Sequence, residues 1–276
     1  RMAHRLGWPT IAFGFLAGDT GDIVRAALEA EGVPAHFVPL PGQQTRINVT
    51  VVESTGRASS FYAPGPTVGP AALGTLRDLL CFWLQAGRIL VLAGSLPPGV
   101  PNDIYAELTA AAHERGVRVI LDADADALDV GLAARPDLIK PNVEEAQRLL
   151  GRRLEDEAAV VAGAHELSRR GVETVIISMG RRGAICVQGG RGWRIHPPDV
   201  ERKSTVGSGD AMVAGVAVAI ARGEPLEAGL RLGTAAGAAT AMTPGTALGT
   251  PEDVGRLVPR VRIDAIGSAS PPARST

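Results

Sequence analysis

Cysteine is scarce. Cys81 and Cys186 are the only two in 276 residues, they form no CxxC pair, and the five histidines lie at no metal-ligand spacing from cysteine or from each other. That excludes a disulfide scaffold and a thiolate or imidazole metal centre. Both cysteines are expected to be reduced and buried in a cytoplasmic protein. Net charge is nearly absent: 28 Lys and Arg face 29 Asp and Glu, a formal −1. Such a chain has no bulk attraction for nucleic acid or an anionic membrane, so neither is expected as a partner. No apolar run reaches the roughly 18 residues that span a bilayer, and no charged segment followed by an apolar one marks a secretion signal. An initiating Met is missing too. The chain opens on Arg1, and RMAHRLG reads as the end of a helix running into a turn, so an upstream segment is expected.

What is present is the composition of a soluble globular protein, 45 % apolar and 21 % charged, at a length that suits one large α/β domain or two small ones. Apolar strand-like runs at 11–15, 89–92, 117–122, 138–140 and 174–178 alternate with helical runs at 20–31, 69–86, 102–115, 142–150 and 158–170. Asn102 stands where a cap would start the third of these helices. Alternation with mostly apolar strands predicts a parallel sheet covered by helices on both faces. Residues 184–187 and 193–196 read as a small antiparallel pair, and 206–222 and 226–242 as two Ala/Gly-rich helices. Segments 46–53 and 58–62 flank Ser54-Thr55-Gly56, a hairpin signal that breaks the rhythm and sits where a lid over the sheet edge would.

One stretch raises a chemical question. STVGSGDAM at 204–212 opens an apolar helix. The amides of Gly207, Ser208, Gly209 and Asp210 are then free donors at a helix N-terminus, where the dipole favours an anion. A carboxylate at Asp210 runs against that preference. It fits if the amides hold charge developing on a transferring phosphoryl group while Asp210 accepts a hydroxyl proton. A capping aspartate explains the same residues equally well. Asn142 and Glu145 lie one helical turn apart, a pair able to hold a hydrated Mg²⁺ or to form a capping box, which the bare pattern favours. Lys140, at a strand end, suits a nucleotide phosphate or simple solvation. In TRIN at 45–48, Arg46 and Asn48 share one strand face; arginine suits bidentate phosphate binding and Asn suits sugar hydroxyls, though an isolated Arg46 reads better as a rim salt bridge. Ser95 offers a hydroxyl in a Pro/Gly loop. Asp122, Asp124 and Asp126 do not form an EF-hand, since Ala127 and Ala133 stand where Gly and Glu are required; a strand end and helix start, with Asp122 toward the sugar side, is expected.

KSTVGSGDAMVAG at 203–215 closely resembles the C-terminal signature of the ribokinase-like, phosphofructokinase B carbohydrate kinases. AGSLPPGV at 93–100, IKPNVEEAQRLLG at 139–151, SMGRRGA at 178–184 and AAGAATAMTPGT at 235–246 occur in that family's order and spacing, to about residue 260. The resemblance implies an α/β, ribokinase-like three-layer sandwich with a central mostly parallel sheet and a small β lid: one domain over 1–262 with a lid hairpin at about 45–63; residues 263–276, by their composition, are expected to be a disordered tail. It implies ATP and Mg²⁺ as cofactors, Asp210 as the catalytic base, and Gly207, Ser208 and Gly209 as the anion hole. Asn142 and Glu145 take metal and phosphate positioning. Lys140, Ser178, Gly180, Gly183, Thr205 and Ala239 take the nucleotide, with 244–246 flanking the adenine. T-R-x-N marks the phosphofructokinase and tagatose-6-phosphate kinase branch, so Arg46, Asn48 and Ser95 are expected on a sugar phosphate. Fructose 6-phosphate, going to the 1,6-bisphosphate, is the first expectation, and 1-phosphofructokinase or tagatose-6-phosphate kinase the alternative. A nucleoside kinase would not need Arg46. A remnant that binds nucleotide without turnover stands as the reading from another class, because the family's N-terminal sugar-binding Asp and G-G-K-G-x-N turn have no counterpart here. Met212 leaves G-x-G-x-x-G incomplete, which argues against a dinucleotide-binding oxidoreductase. Pairing of lids implies a homodimer.

Overall fold

The computed structural model describes residues 1–52 and 58–266. A short helix α1 (Met2–Arg5) leads to β1 (Ala12–Leu16), α2 (Gly18–Ala30) and β2 (Ala35–Pro39). The hairpin strands β3 (Val49–Val52) and β4 (Ala58–Phe61) follow, then α3 (Pro70–Trp83), β5 (Ile89–Gly94), α4 (Ile104–His113), β6 (Arg118–Ala123), α5 (Ala125–Gly131) and β7 (Leu138–Ile139). After them come α6 (Val143–Leu150), α7 (Glu157–Arg169), β8 (Thr174–Ser178), β9 (Ala184–Gln188), β10 (Arg191–His196), α8 (Ser208–Ala221), α9 (Leu226–Ala241), α10 (Pro251–Leu257) and β11 (Arg262–Ile266).

Seven strands form one sheet in the order β11-β10-β9-β8-β7-β6-β5. β5 to β8 run parallel, and β9, β10 and β11 add antiparallel. Side-chain alternation divides the core in two. Leu121, Ile139, Val175 and Ile177 enter the layer packed with α3, α4 and α7. Ile120, Leu138, Ile176 and Cys186 face the layer of α8, α9 and α10. With a two-residue strand period this is why the strands read as continuous apolar runs: both faces are covered. The three-layer expectation holds.

Three expectations need correcting. Residues 263–266 are not tail: they pair with β10 in register Ile263↔Ile195 through Ile266↔Gly192. Asn102 does not cap α4, which starts after Asp103 with no side-chain cap. Cys81 is only half-buried, whereas Cys186 is fully buried. The hairpin turn at Ser54-Thr55-Gly56 and residues 267–276 lie outside the described residues. A further strand, β2, pairs in parallel with β1 in a separate two-stranded sheet. Phe13 and Phe15 of β1 share one hydrophobic core with Leu92 of β5, yet no ladder joins β1 to β5 among the described residues. β5 consequently ends the large sheet with Val91 41 % exposed.

Candidate active site

The carboxyl ends of the parallel strands converge on the N-terminus of α8, the place where open α/β sheets bind ligands. Gly94 of β5 hands on to Ser95, β6 ends with Asp122 and Ala123, β7 is followed by Lys140 and Asn142, and β8 ends at Ser178. A single parallel bridge joins Asn142 to Ser178, and the Ser178 amide donates to the Pro141 carbonyl at 2.9 Å. The separate motifs are thereby stitched into one edge.

Gly207 is the N-cap of α8 with φ +74°, a left-handed backbone that a side chain disfavours. Its carbonyl accepts the first helical bond, from Ala211 N at 2.9 Å. Gly209 and Asp210 are exposed in the first turn. No side chain caps this helix, which removes the capping account of Asp210 and leaves its carboxylate open. Ser208 Oγ is buried with no hydrogen-bond partner. A Cβ on Gly209 would come within 3.3 Å of Lys140 Nζ, so the lysine ammonium lies directly against the glycine turn. Lys140 is 6 % exposed and not a solvated lysine. Its Nζ pairs with Asp122 Oδ1 at 3.1 Å. Burial pushes the Asp122 carboxyl up, the Lys140 ammonium opposes that, and the charges of Asp210 and Glu145 push it up further.

Asn142 and Glu145 form a complete capping box: Asn142 N donates to Glu145 Oε2 at 2.8 Å, and Glu145 N to Asn142 Oδ1 at 2.9 Å. One Glu145 oxygen is left over. Gly180 and Gly183 bracket a 3-10 turn after Ser178. At Gly183, with φ +86°, a Cβ would sit 2.0 Å from the Ile195 carbonyl oxygen, so only glycine fits. Thr205 is exposed ahead of the glycine turn, and its carbonyl accepts from Ser208 N. The turn at 244–246 is exposed as well. Ala239 is different. It is fully buried, and a Cβ on Gly249 would come within 2.6 Å of its methyl; its small size serves close packing, and it presents no surface to a ligand.

On the hairpin side, Arg46 Nη2 donates to Ser95 Oγ at 2.8 Å. Arg46 has no carboxylate partner among the described residues, so the rim salt bridge is not made. Asn48 is exposed just before β3. Tyr105, buried in α4, was not singled out by the sequence; its hydroxyl lies 3.0 Å from the Ala93 carbonyl and 3.1 Å from that of Gly94. A lone aromatic in a helix gives no signal of that contact. A cavity of about 240 Å³ lined by Ile89, Arg118, Leu138 and Thr174 lies at the opposite, amino ends of the strands, away from these residues.

A family profile described as "pfkB family carbohydrate kinase" matches residues 1–253. The chain belongs to the pfkB family of carbohydrate kinases. It is 38 % identical over 219 residues to the 1-phosphofructokinase of Xanthomonas campestris, covering 78 % of this chain and 69 % of that one. It is 34 % identical over 259 residues to the ATP-dependent 6-phosphofructokinase isozyme 2 of Escherichia coli, covering 93 % and 83 %. The structure of phosphofructokinase-2 from Escherichia coli in complex with substrates and products superposes with a TM-score of 0.88 at 33 % identity, over 94 % of this chain and 84 % of that one. The chain is therefore a sugar kinase of the phosphofructokinase group, and kinases of this group use ATP, usually with Mg²⁺. The site suits the nucleotide phosphates. The unpartnered Ser208 hydroxyl and the Lys140 ammonium lie at the head of α8, donor groups of the kind that phosphate oxygens require, while the Ser208 amide itself donates to the Thr205 carbonyl. Among the described residues no group of three or more His, Cys, Asp or Glu side chains could hold a metal ion. No helix is long and apolar enough to cross a membrane among the described residues.

Proposed function

We propose that this kinase transfers the γ-phosphoryl group of ATP to a free hydroxyl of a ketohexose phosphate, with fructose 6-phosphate as the first substrate and fructose 1-phosphate or tagatose 6-phosphate as alternatives. The observation that carries the reading is Arg46: an exposed guanidinium, fixed by Ser95 at 2.8 Å and with no carboxylate partner among the described residues, has donors left for a phosphate already on the sugar. A relative in the same fold, 31 % identical with a TM-score of 0.86, was crystallised with fructose-6-phosphate.

In the proposed step the Asp210 carboxylate accepts the proton of the sugar hydroxyl. A new O–P bond forms to the γ-phosphorus, the bond to the β–γ bridging oxygen breaks, and ADP leaves. The amides of Gly207 and Gly209 and the Lys140 ammonium face the charge on the equatorial oxygens, and Ser208, whose amide donates to the Thr205 carbonyl, offers its unpartnered hydroxyl. Mg²⁺, when bound with the nucleotide beside Asn142 and Glu145, would neutralise phosphate charge. Ser178, Gly180, Gly183 and Thr205 line the nucleotide side, and Asn48 reaches sugar hydroxyls from the hairpin base. The β3–β4 hairpin closes as a lid that excludes water. Ile47, Val49, Val51, Phe61 and Tyr62 leave that hairpin apolar and exposed, which supports pairing with a second copy into a homodimer.

The test is an ADP-release assay with ATP and Mg²⁺ on fructose 6-phosphate, fructose 1-phosphate, tagatose 6-phosphate, ribose and adenosine. Turnover on one ketohexose phosphate, lost by about 10³-fold or more in Asp210→Asn with small change in apparent affinity, supports the reading. Preference for ribose or adenosine, or near-wild-type turnover in the variant, defeats it. Nucleotide binding without turnover on any sugar moves the chain to the remnant reading.

A further inference from the structure

The transfer scheme leaves one buried carboxylate at the site without a task. Asp122 stands at the carboxyl end of β6, in register with Ala93 of β5. Its Oδ1 lies 3.1 Å from Lys140 Nζ, and the two side chains are 13 % and 7 % exposed. That pair is the only ion pair Lys140 makes among the described residues. On its other side the ammonium meets the backbone of Gly209, within 3.3 Å of where a Cβ would be. We propose that Asp122 is a positioning residue: it holds the Lys140 ammonium aimed across the glycine turn, so that the donor phosphate meets a cation already in place.

Without a partner, a lysine in this position would swing its ammonium out to water. A carboxylate within hydrogen-bond distance reverses that preference and restricts the flexible four-carbon stem to one geometry. The arrangement also accounts for an otherwise costly feature. Burial and the neighbouring charges of Asp210 and Glu145 all disfavour an ionised Asp122, and Lys140 is the first group to oppose them. A carboxylate kept there against three unfavourable influences is explained by its partner. Strand order adds a structural reason: β6 and β7 are adjacent and parallel, so the ends of the two strands fix the spacing of the pair without loops.

The inference rests on Lys140 meeting a nucleotide phosphate, and the test separates the two claims. Asp122→Asn, Lys140→Met and the double variant are compared for ATP affinity by calorimetry, for KM and kcat, and for Mg²⁺ activation. Lys140→Met is expected to weaken ATP binding about 10-fold or more, and Asp122→Asn to do the same to a smaller extent, with the sugar-phosphate KM within about threefold of wild type. The double variant is expected to bind ATP as Lys140→Met does, because Asp122 acts through the lysine. If Asp122→Asn alone folds poorly, the double variant regains folding, since the uncompensated charge is then gone. Unchanged ATP affinity in Lys140→Met overturns the nucleotide reading of the lysine. An Asp122→Asn effect that is absent, confined to thermal stability, or undiminished when Lys140 is already replaced overturns the positioning role. A raised Mg²⁺ requirement that persists without Lys140 overturns it in favour of direct metal binding.

Discussion

Replacing Gly215 by alanine should cost stability and catalysis together. Gly215 lies mid-way along α8, where that helix crosses α9. A Cβ there would come 2.6 Å from Gly233 Cα, 2.7 Å from Gly233 N and 2.8 Å from the Leu232 carbonyl carbon. All three are backbone atoms, so no rotamer change relieves them, and the helices must part by on the order of 1 Å. Overpacking of this kind costs about 3 kcal/mol. The gain in helix propensity from Gly to Ala returns about 1 kcal/mol, leaving about 2 kcal/mol of destabilisation, or a fall in Tm of about 4–8 °C. Gly74, inside α3, is the internal control: a Cβ there meets nothing within 4 Å, so Gly74→Ala should raise Tm by about 2–4 °C. Gly207, at the head of α8, is about two turns or 12 Å away, and a shift of α8 moves Asp210 with it. Turnover should therefore fall by about 10-fold to 100-fold in Gly215→Ala and remain unchanged in Gly74→Ala. Thermal unfolding by circular dichroism and the ADP-release assay read both. A Gly215→Ala protein stabilised like Gly74→Ala would refute the reasoning, because it would mean that the α8–α9 contact has slack.

Glu145→Gln keeps the reciprocal capping bonds but removes a charge; Tm should stay within about 2 °C while the Mg²⁺ concentration for half-activation rises about 10-fold, and equal Mg²⁺ dependence would leave Glu145 a cap alone. Tyr105→Phe removes the hydroxyl bonded near Ala93 and Gly94, so the Ser95–Arg46 contact should loosen and the sugar-phosphate KM rise about 5-fold, with the ATP KM unchanged. His165 is buried in α7 with Nε2 unpartnered, and burial, with Arg169 adding to it, holds its imidazole below the ordinary 6.5. The unfolded chain then binds the proton more readily, so this contribution to stability is present above pH 6.5 and shrinks as pH falls below it; the drop in Tm between pH 7.5 and 5.5 should be smaller in His165→Leu.

Motifs carried by backbone requirements were legible. Gly207 and Gly183 announce themselves because a left-handed φ or a carbonyl within reach of a Cβ tolerates nothing larger. Asn142 and Glu145 announce themselves because capping follows a fixed spacing. Parallel strands buried on both faces stood out as apolar runs. β2 and β11 did not. AHFVP at 35–39 and RIDAI at 262–266 lie at the margins, half-buried or exposed apart from Val38, so neither continuous apolarity nor clean alternation marks them, and pairing with β1 and β10 is a tertiary effect. Ala239 failed for the opposite reason: a small residue that lets a ligand approach and one that lets a backbone approach are the same letter, and here Gly249 occupies the space.

The same logic explains how a carboxylate can stand at the turn proposed to hold the phosphoryl group. Helix dipole and amides act along the axis of α8 from Gly207 onward, whereas Asp210 projects from the first turn into solvent. The positive and negative groups therefore need not meet each other; they can meet different atoms of one reacting pair, phosphoryl oxygens on one side and a hydroxyl proton on the other. That division requires a further cation near the turn, since three carboxylates, Asp122, Asp210 and Glu145, would otherwise leave the crevice repelling a nucleotide. Lys140 is the buried cation there. Its neutral replacement should accordingly harm the binding of ATP more than that of adenosine, which carries no phosphate; equal losses for both would show that the lysine supports the fold and leaves the charge balance of the crevice to other groups.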